Sequence, residues 1–164
     1  MNAPDPVVDG TKVFVTAGRG FGGALFDVTG ETTPLWEQEG LSSHWHTSVL
    51  VNGFLFGPDG NNSEGAGRSP TSLRCLDWKT GEIKWTEPKL AFNGLIAVGG
   101  KLLVLTEMGQ LVLAEASSDA YKELGSAQVI EGRAFTAPVF ADGRVFVRNT
   151  KGDVACLDVR QGAK

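Results

Sequence analysis

Four dipeptides constrain this chain more than anything else in it. Asp9-Gly10, Asn52-Gly53, Gly99-Gly100 and Asp142-Gly143 recur at intervals of 43, 47 and 43 residues. Each sits between two short apolar runs: Pro6-Val7-Val8 and Val13-Phe14-Val15, Val49-Leu50-Val51 and Phe54-Leu55-Phe56, Leu95-Ile96-Ala97-Val98 and Leu102-Leu103-Val104-Leu105, Pro138-Val139-Phe140 and Val145-Phe146-Val147. Such a dipeptide between strand-like runs is the strongest short-range hairpin signal, because its residues tolerate the positive φ of a two-residue turn.

A third run follows in every unit: Ala24 to Asp27, Leu73 to Asp77, Leu111 to Glu115 and Val154 to Asp158. A fourth is visible at Leu35-Trp36, at Ile83-Lys84-Trp85 and at Ala127 to Ile130. Ala114 to Leu124 has helix-forming composition, but its register with the other units makes its first part strand. Four up-and-down strands in about 43 residues is the period of a β-propeller blade. The expected fold is therefore all-β: a partial or small propeller of about four four-stranded antiparallel blades in one domain. The blades run over about residues 1–40, 41–90, 91–132 and 133–164, and the last stops before its outer strand. The 164 residues suffice for one domain with a real core, and 22 glycines and 7 prolines fit many short strands and turns.

Charge and hydropathy narrow the partners. The net charge of −4 and the lack of a basic cluster argue against a nucleic-acid surface. No apolar run approaches the length of a membrane span. Met1-Asn2-Ala3-Pro4-Asp5 has neither a basic nor an apolar leader region, so no signal peptide is expected in this chain. The protein is then cytoplasmic, or a targeting segment lies upstream.

The stretch from Cys75 to Trp85 is the best-formed copy of the repeat. Asp77 precedes a reversal at Lys79-Thr80-Gly81, and Trp85 ends the next alternating run. The pattern Asp77-x-x-Thr80-Gly81-Glu82-x-x-Trp85, with Cys75 in a small-residue position, resembles the tryptophan-docking repeat of PQQ-like (pyrroloquinoline-quinone-type) propellers. Asp27-Val28-Thr29-Gly30-Glu31 with Trp36 is a variant. Asp158 opens a third copy, and Glu115 with Ser117-Ser118 is a degenerate one. The resemblance implies a structural role for Asp27, Trp36, Asp77, Thr80, Gly81, Trp85 and Asp158. It is similar at repeat level to exported bacterial PQQ-like proteins with rings about twice this long, which makes a periplasmic or secreted location the expectation.

Two functional readings follow from that resemblance. The first is a non-catalytic scaffold that binds a protein or small ligand through one loop face, with no cofactor expected. The alternative is a fragment of a quinoprotein dehydrogenase using PQQ with calcium. Quinone-binding relatives typically carry a vicinal cysteine pair, a tryptophan platform and carboxylate and amide ligands for calcium. This chain has no Cys-Cys, and no Glu-Asn-Asp set can be assigned.

Register sorts the loops. Interblade connections at about 40–46, 86–93 and 130–135 should share one face with the second-to-third-strand loops at about 17–23, 57–71, 107–109 and 149–152. Candidate ligand contacts on that face are His44, His46, Asp59, Arg68, Asn93 and Arg133. If His44-Trp45-His46 is extended, the two imidazoles point the same way, as two metal ligands require, but no third ligand is evident. Channel contacts or hydrogen-bonded structure are the other readings of this pair, and no metal site is assigned. Trp45 aligns with Phe92 and Phe135, so it reads as packing. Asp59, Asn61 and Ser63 alternate like the start of a calcium loop, but Pro70 stands where its glutamate should be. Asn61-Asn62-Ser63 also fits the N-glycosylation triplet, relevant only in a eukaryotic secretory host.

Gly18 to Gly23 matches G-x-G-x-x-G, but a strand-type run follows where a dinucleotide site needs a helix. Cys75 and Cys156 occupy equivalent third-strand positions two blades apart, so both are expected as buried free thiols. An open stack of blades exposes apolar faces and strand edges. The chain is therefore expected to be half of a larger ring, completed by further blades or by a second copy.

Overall fold

The computed structural model describes residues 3–60, 71–88, 90 and 92–160, with Phe92 and Asn93 described through their backbone. Every regular element among them is a strand. Sheet one comprises β1 (Val7–Asp9), β2 (Lys12–Ala17), β3 (Gly22–Asp27) and β4 (Trp36–Gln38). Sheet two comprises β5 (Val49–Val51), β6 (Phe54–Asp59), β7 (Ser72–Asp77) and β8 (Ile83–Glu87). Sheet three comprises β9 (Phe92–Val98), β10 (Lys101–Thr106), β11 (Gln110–Glu115) and β12 (Glu123–Gln128). Sheet four comprises β13 (Val139–Ala141), β14 (Arg144–Arg148) and β15 (Val154–Asp158). Each sheet is a meander in chain order, antiparallel throughout, as propeller blades are.

The inner hairpins close as the dipeptides predict in three blades. Asn52 and Gly53 both take positive φ between Val51 and Phe54, and the Gly99-Gly100 and Asp142-Gly143 turns repeat this. Such two-residue turns match the right-handed twist of the flanking strands. Blade one differs. Asp9 pairs with Lys12, so the loop residues are Gly10 and Thr11, one position later than the sequence suggests. The outer strand of blade three is also displaced, to Glu123–Gln128 instead of Ala127 to Ile130. Val129 and Ile130 leave the sheet because both of their N–H groups donate to the Gly109 carbonyl. Ile130 then joins the core between blades three and four. Ala114 to Leu124 contains no helix; Glu115 ends β11 and Glu123 begins β12.

Three apolar clusters hold neighbouring blades together. Phe14, Leu25 and Trp36 meet Leu55, Leu76 and Trp78 between blades one and two. Phe56, Leu73 and Cys75 meet Leu95, Leu102, Val104, Val112 and Ala114 between two and three. Leu105 and Ile130 meet Val145 and Val147 between three and four. Alternate residues of each central strand face opposite neighbours, so both faces of a blade are apolar.

The motif turns seat the tryptophans. Asp77 Oδ1 accepts from the N–H groups of Lys79 (2.8 Å) and Thr80 (3.0 Å), and the Gly81 N–H donates to the Asp77 carbonyl (2.9 Å). Gly81 has φ +72°, and a Cβ there would lie 2.7 Å from the Trp36 ring. Trp36, from the blade before, therefore lies flush on that turn. Its Nε1–H donates to the Trp78 carbonyl at 3.0 Å. One interface further on, Trp85 Nε1–H donates to the Ser117 carbonyl at 2.8 Å, and its ring meets Tyr121 edge-on at 5.8 Å. Blade three offers no tryptophan to blade four. Gln128 Nε2 donates only within blade three and its outgoing connection, to the Met108 and Ile130 carbonyls at 2.7 and 2.6 Å, and blade four is tied to that connection by Asn149 Nδ2, which donates to the Glu131 carbonyl at 2.8 Å.

The three repeat aspartates are held below their ordinary carboxylate range. For Asp27 the Thr29 hydroxyl and N–H are the main cause. For Asp77, burial pushes upward, but hydrogen bonds from Thr80 and Lys79 outweigh it. For Asp158 the Arg160 guanidinium and N–H dominate. A carboxylate depressed in the folded state contributes stability above its unfolded pKa and loses it as pH falls through the folded value. Acid titration followed by circular dichroism is therefore expected to show stability constant near neutrality and declining below about pH 4. Trp36→Ala should destabilise the fold by about 3–5 kcal/mol in denaturant melts, since it empties a filled interblade socket. Gly81→Ala should destabilise by about 1–3 kcal/mol through the clash with the indole and the positive φ.

Candidate loop-face interaction site

The up-and-down topology puts the interblade connections and the β2–β3-type loops of all blades at one end of the sheets. Between blades one and two, this end is locked by a polar network. Ser42 N–H donates to Asp59 Oδ1 (3.0 Å), and the Asp59 carboxylate pairs with Arg74 at 2.8 Å. Ser42 Oγ–H donates to the Ala17 carbonyl (3.0 Å) and Ser42 Oγ accepts the Gly20 N–H (2.8 Å). Thr16 Oγ1 donates to the Leu41 carbonyl and accepts the Ser43 N–H at 3.1 Å. The glycine-rich segment after β2 is thereby tied to the next blade, with no helix following it. It is a strand connection, as its context in the sequence requires.

His44 is buried, 4% exposed, and its ring fills the space beside Gly18, where a Cβ would come within 2.7 Å of His44 Cβ. The segment 44–46 is a bend and not a strand, so the two imidazoles do not share a face by strand alternation. His46 is half-buried, and its N–H and carbonyl both bond Ser43 Oγ, at 3.2 and 2.6 Å. Among the described residues no group of three His, Cys, Asp or Glu could hold a metal ion. Asp59, a candidate calcium ligand, is engaged by Ser42 and Arg74. Arg68, Asn61, Ser63 and the glycosylation triplet lie outside the described residues, and of Asn93 only the backbone is described.

Arg133 is placed by two neighbours. Its guanidinium contacts Glu107 Oε1 at 2.6 Å and covers the Phe135 ring at 4.7 Å from the centroid. Phe135 is 50% exposed and Trp45, at the equivalent position, 47%. The alignment of Trp45 with Phe135 suggests interior packing; the structure instead turns both rings outward. The inner strands begin only at Val49 and Val139, so both aromatics precede the sheets and escape their cores. Phe21 and Met108, on two of the strand-connecting loops, are exposed at the same end. Arg133 was legible as a candidate, whereas Phe135 beneath it reads in the sequence only as packing. Ser42, Ser43 and Thr16 were missed, although a Ser-Ser-His run directly before an inner strand is a usable hint of a polar interblade lock.

The two cysteines also differ. Cys75 is fully buried, and burial pushes its thiol up to about 12. Cys156 is exposed, contrary to the expectation from repeat equivalence. Its face of β15 has no neighbouring blade among the described residues.

Four successive meander sheets, packed face to face with tryptophans seated on the following blade, define a PQQ-like β-propeller repeat protein. The chain belongs to the family described as outer membrane protein assembly factor BamB, whose model matches residues 1–87 and 71–164. Among curated proteins none matches by sequence. Solved structures share the fold at low identity. BamB from Moraxella catarrhalis superposes with a TM-score of 0.70 at 15% identity, over 93% of this chain and 42% of that one. The computationally designed protein Ika8 gives 0.69 at 13% identity, over 94% and 45%. A europium-containing methanol dehydrogenase gives 0.53 at 20% identity, over 71% and 23%. The chain thus spans less than half the length of each of these three proteins.

Asp59 and Arg74 make the lock testable. Arg74→Ala leaves Asp59 partly buried without its cation and is expected to cost about 1–3 kcal/mol in a chemical melt. Ser42→Ala should loosen the segment 18–21, visible as faster amide exchange of Gly20 with little change elsewhere.

Proposed function

We propose that this chain serves as a non-catalytic scaffold that binds a partner, foremost a protein, through its loop face. The observation that carries the reading is the pair of exposed aromatics at equivalent interblade positions, Trp45 and Phe135, the second capped by Arg133. Tryptophan, other aromatics and arginine supply most of the energy at protein interfaces, because they bury large area at low entropic cost. Their positions are fixed here. Arg133 is held by Glu107, and the neighbours of Trp45 are bound into the Ser43 turn. Rigid anchors of this kind bind without first having to be ordered.

Membership in a family described as an outer membrane protein assembly factor supports a bacterial, periplasmic setting and a protein partner. Among the described residues no helix is long and apolar enough to cross a membrane.

The test has two arms. Crosslinking of wild-type protein to its partners in a native extract should be reduced at least about tenfold by the paired change Trp45→Ala and Phe135→Ala, an effect of about 1.4 kcal/mol or more. Addition of PQQ with calcium should leave the melting temperature unchanged. Stoichiometric quinone binding that raises it would overturn the scaffold reading in favour of a dehydrogenase fragment.

A further inference from the structure

The three interblade clusters join blade one to two, two to three and three to four. The far side of blade one and the far side of blade four remain. On blade four, the row Val139–Phe146–Cys156 is formed by direct strand partners. Blade two carries Val49–Phe56–Cys75 at the same three register positions. There the row lies in the core against blade three, with Phe56 and Cys75 both 0% exposed. On blade four Val139 is 57% exposed, Val154 beside it 67%, and Cys156 is exposed. Three of three residues are thus identical between a face that grips the next blade and a face that meets no blade among the described residues.

The other end of the arc supplies the complement. Blade three receives the blade-two row with Leu102, Val104, Val112 and Ala114. The register equivalents in blade one are Val13, Val15, Ala24 and Phe26, all apolar, with Val13 paired to Phe26 and Val15 to Ala24. None of these four is fully buried, and Val15 is 39% exposed, as is Val8 beside them at 62%. A cleft of about 580 Å³ opens on this face, lined by Val15, Ala17, Phe21, Ala24 and Glu37. Its rim is acidic, from Glu37 and Glu39, and both side chains are exposed. The blade-four face is flanked by Arg148 at one end and at the other by Arg144, which stands opposite Asp158 of the same blade. The apolar rows of the chain's two ends therefore match, with Arg148 as the exposed cation opposite in sign to the acidic rim.

We propose that these faces are the two halves of one blade-to-blade interface, and that a second copy of this chain occupies them. Blade four of each copy packs on blade one of the other, and two chains close one ring with a twofold axis. Burial of the exposed valines and of Phe26 and Phe146 drives the association, and the Glu and Arg rims orient it. Trp45, at the joint of blades one and two, takes no part, whereas Phe135 borders Arg148 and Val154, so Trp45 is the anchor whose loss separates this inference from the scaffold reading.

Sedimentation equilibrium of the whole chain tests it, with thiol labelling of Cys156 as a second readout. The expected result is twice the chain mass at micromolar concentration, with Cys156 protected from a maleimide in the dimer and labelled on dilution. Val15→Glu and Val154→Lys, both at exposed positions, should each weaken dimerisation at least about tenfold while the circular dichroism spectrum is unchanged. Trp45→Ala should leave the mass unaltered. A monomer with freely labelled Cys156 up to the highest concentrations overturns the proposal and points to further blades in a longer polypeptide. A dimer that survives both charge substitutions also overturns it, because the copies then meet elsewhere.

Discussion

An indole seated on a glycine turn is the contact on which this architecture depends. Each blade is a small sheet with two apolar faces and cannot bury either by itself. The apolar clusters supply the driving force between blades, but they are non-directional. Trp36 adds direction: one face of the ring needs Gly81 to be bare, and Nε1–H needs the Trp78 carbonyl. The Asp77 carboxylate holds the turn in the shape that meets both needs. Local turn chemistry and blade-to-blade geometry are thus the same interaction seen at two scales.

Much of this was readable from residue order, for a definite reason. Asn52-Gly53, Gly99-Gly100 and Asp142-Gly143 tolerate positive φ, so the inner hairpins were fixed locally and the repeat made them mutually consistent. Where the local signal was ambiguous, tertiary demands decided. Val129 and Ile130 look like an outer strand, but the gap between blades three and four takes Ile130 as core, and polar Glu123 to Gln128 forms the strand instead. In blade one, Gly10 could serve either of two loop registers, and the pairing of Asp9 with Lys12 selected the later one.

The loop face was less legible because its geometry comes from contacts between distant segments. Nothing near Asp59 in the chain announces Arg74 as its ion partner or Ser42 as its donor. Repeat alignment placed Trp45 with Phe135 but read the aromatic position as packing, whereas both rings are half exposed. That depends on how far each connection travels before its inner strand begins. Cys156 teaches the same lesson from the other side. Equivalent positions have equivalent environments only when both have a neighbouring blade.

The joint between blades three and four has a consequence for motion. The first two joints are each tied by an indole, whereas among the described residues the third relies on aliphatic contacts and on the Asn149 and Thr150 bonds to the Glu131 and Arg133 carbonyls. In a nearly one-dimensional stack, the free energy of local opening is set by the weakest nearest-neighbour contact. The molecule is therefore graded along its length. Blade two, joined by an indole on both sides, is the slow-exchanging centre, and the joint between blades three and four is the first to open.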